Sequence, residues 1–441
     1  MLMIDRELTC ILSLSLCLML LFTADSTVGN MQKIIVSSIS DDDPSFTVEG
    51  YTVIAVVYTM SAVSLWFGPY VSYALGPKLT MTLSAIGYLS AIVPLLLENQ
   101  WMIYGGAFVN GIACGCLWPA HGHYMIENSS PQTMARNVGI FWTIYTTSSL
   151  WGNLFVYYKF YGKKYIDQST RRAVLSFLLV VNIVGVAAFM TLPRSSSDQK
   201  TVNYGLIKTV KKCWEILFSY QMFWLMFLVC YAGIQQSFLG GIYSSSIGFT
   251  LAFGNSAKEL VALSGIVSCL GSLIGGICCI ILSRRIRSHS YGRRLFVLFG
   301  CAAELLAYLI TFANLPDNAV FGNTDQLGLI SPSATLAMTG SLLLGFGNSC
   351  LNTQIFFIVA DLYRENSAEA CALVTFVKAV ILSVCFYACS HIGLHIQLAI
   401  LTATAVVGVI CFFVAENGIA NLPERSLQTQ GCVNSDSEQK G

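Results

Sequence analysis

Charged side chains are scarce in this sequence. Only 11% of the 441 residues are Asp, Glu, Lys or Arg, whereas soluble domains carry about 25%. A chain of this length with so little charge would leave too much apolar surface facing water, so lipid is the expected solvent. The formal net charge is only +1. Because the basic residues cluster in loops rather than alternate with aromatic residues on one face, nucleic acid is not an expected partner.

Metal-binding and catalytic patterns are also lacking. The sixteen cysteines are scattered along apolar runs, and the closest pairs, Cys114-x-Cys116 and Cys278-Cys279, do not have zinc-site spacing. We interpret them as buried thiols that behave as small hydrophobic side chains. No Ser-His-Asp set, phosphate loop or paired-carboxylate motif occurs where chemistry could take place. The sequence therefore predicts no enzyme activity, no metal and no cofactor.

Long apolar runs are abundant instead, and 55% of the residues are hydrophobic. A membrane-spanning helix needs roughly 20 apolar residues, so the chain can hold twelve. The predicted spans are 8–31, 51–73, 79–97, 101–125, 138–158, 173–191, 216–239, 260–282, 295–312, 334–359, 368–390 and 394–414. A signal peptide is the alternative for the first run, but its positive leading region and a clean cleavage site near Ala24 are missing. The prediction is an all-α, multi-pass membrane protein with twelve transmembrane helices.

A basic, Ser-rich segment at 194–212 separates two apolar halves. We predict an N-terminal six-helix half at 1–192, a cytoplasmic central loop at 193–215, a C-terminal six-helix half at 216–415 and a disordered cytoplasmic tail at 416–441. With both termini inside, the inner segments hold sixteen Lys and Arg residues and the outer loops hold seven. The basic outer loop at 159–172 breaks this rule.

The two halves resemble each other at matching positions. Gly76-Pro77-Lys78 follows the second span and Gly292-Arg293-Arg294 follows the eighth, while Gly111 in the fourth span matches Gly345 in the tenth. Equivalent features in spans n and n+6 are typical of two halves related by an axis along the membrane normal. This architecture resembles the major facilitator superfamily, whose conformational loop motif is reduced here to Gly76, Lys78, Gly292, Arg293 and Arg294.

Several strings narrow the resemblance further. They are LFTA at 21–24, LWPAHG at 117–122, RNVGIFW at 136–142, WGNL at 151–154, GIYSSSIG at 241–248 and GFGNSCLNTQ at 345–354. Together they resemble the Unc-93-like family, from the first span to the twelfth. His121 stands where an amide is typical of that family, and Asn348 where a carboxylate is common.

The resemblance implies a transporter-like fold and a role as an accessory subunit. Better-understood members regulate a potassium channel or escort other membrane proteins through the secretory pathway. We therefore expect the lipid bilayer and an ion channel or other integral membrane protein as partners. The alternative, favoured by the fold, is a secondary active transporter of a small solute. The plasma membrane and an endomembrane both stay open as locations.

Polar residues inside the predicted spans are the candidates for function, because a charge at the bilayer centre costs roughly 2.5–3.5 kcal/mol. Asp25 either faces a central cavity as a cation or proton site or is solvated beyond an early helix end. Lys378 needs a partner, which is either a carbonyl-rich cavity or Asp25. The cavity candidates are Asp25, Asn110, His121, Gln235, Gln236, Asn352, Gln354 and Lys378.

The amides among these candidates have two interpretations. They coordinate a polar substrate, or they form hydrogen bonds between helices. His121 and His123 lie two residues apart and so point to different faces of a helix, which argues against a metal pair. Glu304 in the ninth span is expected to be protonated and hydrogen-bonded.

Overall fold

The computed structural model describes residues 6–130, 133–193, 206–286, 292–363 and 367–420. Regular structure in these ranges is helical, apart from an isolated bridge between Thr250 and Thr324. The α-helices are α1 Arg6–Asp42, α2 Gly50–Ser64, α3 Gly68–Leu75, α4 Pro77–Tyr88, α5 Val93–Leu97, α6 Gln100–Glu127, α7 Met134–Thr146, α8 Ser148–Phe160, α9 Gln168–Thr191, α10 Leu206–Leu217, α11 Tyr220–Ser237, α12 Tyr243–Phe249, α13 Glu259–Ile286, α14 Gly292–Asn314, α15 Ala334–Leu362, α16 Ser367–Cys389 and α17 Leu394–Ala420.

The described helices account for the predicted spans. Ten continuous segments are long and apolar enough to cross a membrane, and α2 with α3, bent by 64° at their junction, makes an eleventh. The predicted fifth span is also helical, as α7 and α8 with Thr147 between them. The all-α, multi-pass prediction is therefore confirmed. The fifth predicted span differs from the others in that its length is divided between two short helices.

Side-chain caps explain where several of these helices begin. Glu49 accepts a hydrogen bond from the backbone N–H of Thr52 at the start of α2 (2.7 Å), and Asn99 does the same for Met102 in α6 (3.1 Å). Asp167 caps α9 in the same way. Such caps satisfy N–H groups that the first helical turn leaves without a partner.

Breaks in the long spans coincide with residues that disturb a regular helix. Pro69 lies in the first turn of α3, directly after the bend that separates it from α2. The seventh predicted span is interrupted near its end, at Phe238–Ile242, a π-helical turn between α11 and α12. Pro119 lies inside α6 without ending it. A π-helical turn of this kind is often found where a helix carries function.

The same helix pairings occur in both halves of the chain. α2 packs on α6 as α13 packs on α15, and α1 packs on α9 as α11 packs on α17. Between the halves, α2 packs against α16 and α8 against α13. This arrangement places spans 1, 2, 4, 5, 7, 8, 10 and 11 at the interface of the two halves or next to it.

Two glycines make the equivalent close contacts. A Cβ atom on Gly111 of α6 would overlap the carbonyl oxygen of Val57 in α2, and one on Gly345 of α15 would overlap that of Ser268 in α13. Only a residue without a Cβ permits this backbone approach. The glycine match between the fourth and tenth predicted spans thus corresponds to the same packing in both halves.

The first predicted span is longer than expected. The first span continues to Asp42, so an early helix end near Asp25 is excluded. The short amphipathic helix α10, which precedes α11, overlaps the end of the predicted central loop at 193–215 and the start of the seventh predicted span. Residues 194–205 of that loop and 421–441 of the predicted tail lie outside the described residues.

Part of the positive charge of the basic outer segment at 159–172 is paired with acidic residues. The Arg171 side chain is fully buried, and its guanidinium donates to Asp42 at the end of α1 (3.0 Å) and to Glu98 between α5 and α6 (2.9 Å). Lys163 pairs with Asp167 at 2.5 Å. Hydrogen bonds from Lys163, Ser169 and Thr170 hold the pKa of Asp167 well below its usual range. Counting Lys and Arg alone therefore overstates the unpaired positive charge of the predicted outer segment at 159–172.

Candidate functional site

Asp25 and Asn110 form the first part of the candidate site. Asp25 lies in the interior of α1 and is partly exposed, whereas Asn110 in α6 is only 4% exposed. The Asn110 side chain lies close enough to interact with the Asp25 carboxyl group. Its Oδ1 atom is buried and has no hydrogen-bond partner. The structure thus brings together two of the residues predicted from sequence.

Aromatic rings surround this pair. The ring of Phe22, one turn before Asp25, lies 5.1 Å from that of Tyr145, 5.5 Å from that of Trp118 and 5.6 Å from that of Tyr88. Tyr88 and Tyr145 also lie within electrostatic range of the Asp25 carboxyl group. Because α1, α4, α6 and α7 each contribute to this cluster, it depends on the packing of the whole N-terminal half.

Tyr58 of α2 completes these surroundings. Its phenol is likewise within electrostatic range of Asp25, and its ring stacks at 5.8 Å on Phe386 of α16, in the other half. The side chains of Asp25, Tyr58, Trp118 and Tyr145 all keep part of their surface exposed although they lie within the predicted spans. The Asp25 cluster therefore borders the interface between the two halves.

Lys378 and Asn352 form the second part of the site, in the C-terminal half. The Lys378 ammonium group of α16 donates a hydrogen bond to Oδ1 of Asn352 in α15, and it lies 5.9 Å from the ring centroid of Phe356. Nδ2 of Asn352 in turn donates to Oδ1 of Asn348 (2.8 Å). Lys378 therefore contacts a side-chain amide oxygen and an aromatic ring.

Asp25 and Lys378 do not pair with each other. Within the part of the chain that the structure describes, neither has an oppositely charged side chain at salt-bridge distance. The two clusters approach through aromatic rings, because Phe356 lies 6.4 Å from Trp142 of α7, and Trp142 lies 5.4 Å from Tyr145. The interface thus has a carboxylate on one half and an ammonium on the other, joined by a band of aromatic residues.

Of the other predicted residues, His121 adjoins the Asp25 cluster, because its ring lies 5.7 Å from that of Trp118. The His121 ring packs 4.2 Å from that of Phe141, and its buried Nε2 atom has no partner. Gln235 is 1% exposed and donates to the Leu344 carbonyl oxygen (3.3 Å), a hydrogen bond between α11 and α15. Gln354 is 2% exposed, with its Oε1 unpartnered, and Gln236 is only partly buried. For Gln235 the geometry matches the interhelical interpretation.

A polar contact that sequence reasoning missed joins the halves near the end of α1. Glu49 pairs with Lys33 of α1 and accepts a hydrogen bond from Ser390, just after α16 (2.7 Å). Burial acts to raise the pKa of Glu49, but the Lys33 charge and the hydrogen bonds from Lys33, Ser390 and Thr52 outweigh it and hold the pKa below its usual value. The carboxylate thus stays ionised in a contact between the halves.

Asn30 makes a second contact of this kind. Its Nδ2 atom donates to Oδ1 of Asn153 in α8 (2.9 Å) and to the carbonyl oxygen of Val261 in α13 (3.1 Å). Ser244 of α12 donates to the Asn30 carbonyl oxygen (3.0 Å). One residue of α1 therefore links three helices, two of them in the other half.

Lys258, which precedes α13, is a second deeply buried cation outside the predicted spans, after Arg171. It is 3% exposed, and its ammonium group donates to the Gly248 carbonyl oxygen (2.6 Å) and to Oδ1 of Asn323 (2.8 Å). Burial lowers its pKa to about 8, although the nearby Asp41 carboxylate acts in the opposite direction. A cavity of about 10 Å³ lies between Lys258 and Asp41, which is room for about one water molecule.

The residues of the predicted conformational loop motif differ in what they contact. Gly76 connects α3 to α4 with a φ of +81°, a conformation that favours glycine, and Lys78 follows in the first turn of α4. Gly292 begins α14, and Arg294 pairs with Glu416 of α17 at 2.7 Å, while Arg293 lies 4.0 Å from the same carboxylate. The second copy of the motif therefore anchors the end of the last helix.

Glu304 of α14 lies away from both clusters. It is fully buried and accepts a hydrogen bond from the Tyr231 hydroxyl group, which also contacts that of Tyr308 (3.0 Å). A Cβ atom on Gly347 would overlap the Glu304 side chain, so this glycine provides its space. Hydrogen bonding of Glu304 was expected from the sequence, but its aromatic partners were not.

Comparisons with known proteins agree with this architecture. Residues 45–413 match the family model described as "Ion channel regulatory protein UNC-93". The chain is 33% identical to UNC93-like protein MFSD11 of Xenopus laevis, over 96% of this chain and 98% of that protein. It is 22% identical to Protein unc-93 homolog A of Homo sapiens, over 91% and 92% of the respective chains.

The fold also resembles a solved transporter. The structure of the nucleoside transporter NupG superimposes with a TM-score of 0.64, covering 92% of this chain and 98% of that chain at 13% identity. A likeness at this level of identity concerns the arrangement of helices and not the solute.

Proposed function

The chain belongs to the UNC-93 family and has the fold of the major facilitator superfamily, and we propose that it carries a small solute across a membrane by alternating access. The observation that supports this proposal is the placement of Asp25 and Lys378. Each lies on a helix at the interface between the halves, and neither has an ionic partner within the described part of the chain. Charges inside a membrane are costly, and they typically mark the path of a substrate or ion.

The polar contacts near the end of α1 support the same mechanism. Glu49 with Ser390, and Asn30 with Val261, hold the halves together on that side. These contacts consist of a few hydrogen bonds, which a rocking motion of one half against the other can break and re-form. A carrier needs such a closed side that can open, with its binding site near the middle of the membrane.

Reconstitution of the purified protein in liposomes tests the proposal. Flux of a panel of uncharged, cationic, anionic and zwitterionic solutes is measured for the wild type, Asp25→Asn and Lys378→Met. We expect at least one solute to be transported, with at least a tenfold lower rate in Asp25→Asn. Asp43→Asn is the matched control, because Asp43 is an exposed carboxylate outside the spans.

Two results would contradict a carrier function. One is the absence of flux for every class of solute from wild-type liposomes that retain a folded protein. The other is flux that is equal in the wild type, Asp25→Asn and Lys378→Met, since a solute that avoids Asp25 and Lys378 does not use this site.

A second candidate function is regulation of an ion channel, which the description of the matched family favours. In that case, co-expression with a potassium channel changes the channel current, the channel subunit co-purifies with this protein, and the liposomes show no flux. In a carrier, Asp25→Asn abolishes flux, whereas in a purely accessory subunit it leaves channel current unchanged as long as the fold is intact.

A further inference from the structure

The carboxylate of Asp25 has no positive partner in its surroundings. The side chains that interact with it are Asn110, the phenols of Tyr58, Tyr88 and Tyr145, and the Cys114 thiol. No described Lys, Arg or His lies at salt-bridge distance from it. Because an isolated carboxylate is poorly solvated between helices, a group that carries a positive charge would be stabilised here.

Asn110 provides an independent indication of what such a group must offer. It is 4% exposed, and its Oδ1 atom has no hydrogen-bond partner. Buried polar atoms without a partner are rare in folded proteins and call for a specific explanation. Both the Asp25 carboxylate and Asn110 Oδ1 are acceptors, so a ligand that satisfies them must donate hydrogen bonds.

The surrounding rings favour an organic cation. Phe22, Trp118 and Tyr145 lie with their centroids 5.1–5.7 Å from one another. The faces of such rings attract ammonium groups, and their apolar surface accommodates the carbon skeleton attached to the ammonium. Trp118 and Tyr145 are partly exposed and are therefore available for this contact.

A metal ion fits these surroundings poorly. The described residues contain no group of three or more His, Cys, Asp or Glu side chains placed to hold one. Hard cations such as Ca²⁺ require about six to eight oxygen ligands, whereas this cluster offers one carboxylate, one amide oxygen and phenols among aromatic rings.

We propose that Asp25, Asn110 and the rings of Phe22, Trp118 and Tyr145 bind a primary or secondary ammonium group attached to an apolar, preferably aromatic, body. The inference rests on the proposed carrier function, because it names the class of solute that the same site takes. The ammonium pairs with Asp25, one of its N–H groups donates to Asn110 Oδ1, and the body packs on the rings.

Binding of three related probes to the wild-type protein in lipid nanodiscs tests the inference. Tryptamine has a primary ammonium, tryptophol replaces it with a neutral hydroxyl, and N,N,N-trimethyltryptamine keeps the charge but has no hydrogen on its cationic nitrogen; all three share the indole ring and its N–H. We expect tryptamine to bind at least tenfold more tightly than tryptophol, and about fivefold or more tightly than the trimethyl compound. Equal binding of tryptamine and tryptophol, or no binding of tryptamine, would overturn the inference without the need for any variant.

Two variants then assign the interaction to its residues. Asp25→Asn is expected to weaken tryptamine binding at least tenfold, while Asp43→Asn leaves it unchanged. Asn110→Leu, similar in size, is expected to reduce the preference for tryptamine over the trimethyl compound, because the hydrogen bond to Oδ1 is lost while the one to Asp25 stays. It should preserve the preference over tryptophol. Tryptamine binding that persists in Asp25→Asn disproves the site.

Failure of this inference is distinguishable from failure of the carrier function. If liposomes transport an uncharged or anionic solute in an Asp25-dependent manner but tryptamine does not bind, the solute class is wrong and the carrier proposal stands. If tryptamine binds through Asp25 but no solute is transported, the site is correct and the carrier proposal is wrong.

Discussion

Replacing Arg171 with Met should destabilise the protein severely. The Arg171 side chain is fully buried and joins three segments, through hydrogen bonds to Ser38 and Asp42 of α1 and to Glu98 between α5 and α6. Removing one member of a buried ion pair costs about 3–5 kcal/mol, because the remaining charge loses its partner. Asp42 is 50% exposed and Glu98 20% exposed, so water can partly solvate both carboxylates. We therefore expect a loss near the lower limit, about 3 kcal/mol.

The neighbouring Arg172 provides the matched control. It has the same charge and is one residue away, but its side chain is exposed. The free energy of unfolding is measured for the wild type, Arg171→Met and Arg172→Met in detergent micelles, by denaturant titration with a fluorescence readout. Arg172→Met should change it by less than about 0.5 kcal/mol. The reasoning would be refuted if both variants lost the same stability.

A double variant separates the charge effect from lost packing. Arg171→Met combined with Glu98→Gln removes the cation together with one of the carboxylates that depend on it. If unpaired charge is the main cause of the loss, the double variant should be more stable than Arg171→Met alone. A further loss equal to that of Glu98→Gln in the wild type would show instead that the Arg171 side chain acts by filling space.

Three further predictions concern packing and pH. Gly345→Ala should lower the free energy of unfolding by about 1–3 kcal/mol, because its Cβ overlaps the Ser268 carbonyl oxygen; Gly105→Ala, with open space around its Cβ, should not lower it. The pKa of Glu49 is lower in the folded protein than in the unfolded chain, so its contribution to stability is present above about pH 4.5 and is lost on acidification below that value. The unfolding midpoints of Glu49→Gln, measured against pH, should lack this acid-dependent loss. A pH profile identical to that of the wild type would contradict the prediction. The pKa of Lys258 falls from 10.5 to about 8 on folding. The unfolded chain therefore binds more protons between these pH values, and the free energy of unfolding rises with pH in that window by roughly 3 kcal/mol. Lys258→Met should flatten this rise, and an equally steep rise in the variant would assign the rise to other groups.

The sequence by itself determined the positions of the helices in this protein. A run of about 20 apolar residues can satisfy its backbone hydrogen bonds inside lipid only as a helix, so each predicted span has a helical counterpart regardless of its neighbours. Gly111 and Gly345 could also be matched from sequence, because a helix contact that excludes a Cβ atom leaves a glycine at the same place in each repeat. Asp25 and Asn110 were identifiable as candidates because polar groups are costly in such runs.

Only the tertiary structure decided which of these polar groups meet. Lys378 contacts Asn352 rather than Asp25, and Arg171 joins Asp42 to Glu98 across 129 and 73 residues of sequence. Glu49 reaches Ser390, 341 residues away, to hold the two halves together. The rotation of each helix about its axis sets these pairs, and that rotation is fixed by packing against several neighbours at once. Local sequence determines that a helix forms, whereas the side chains it presents to a partner depend on the whole bundle.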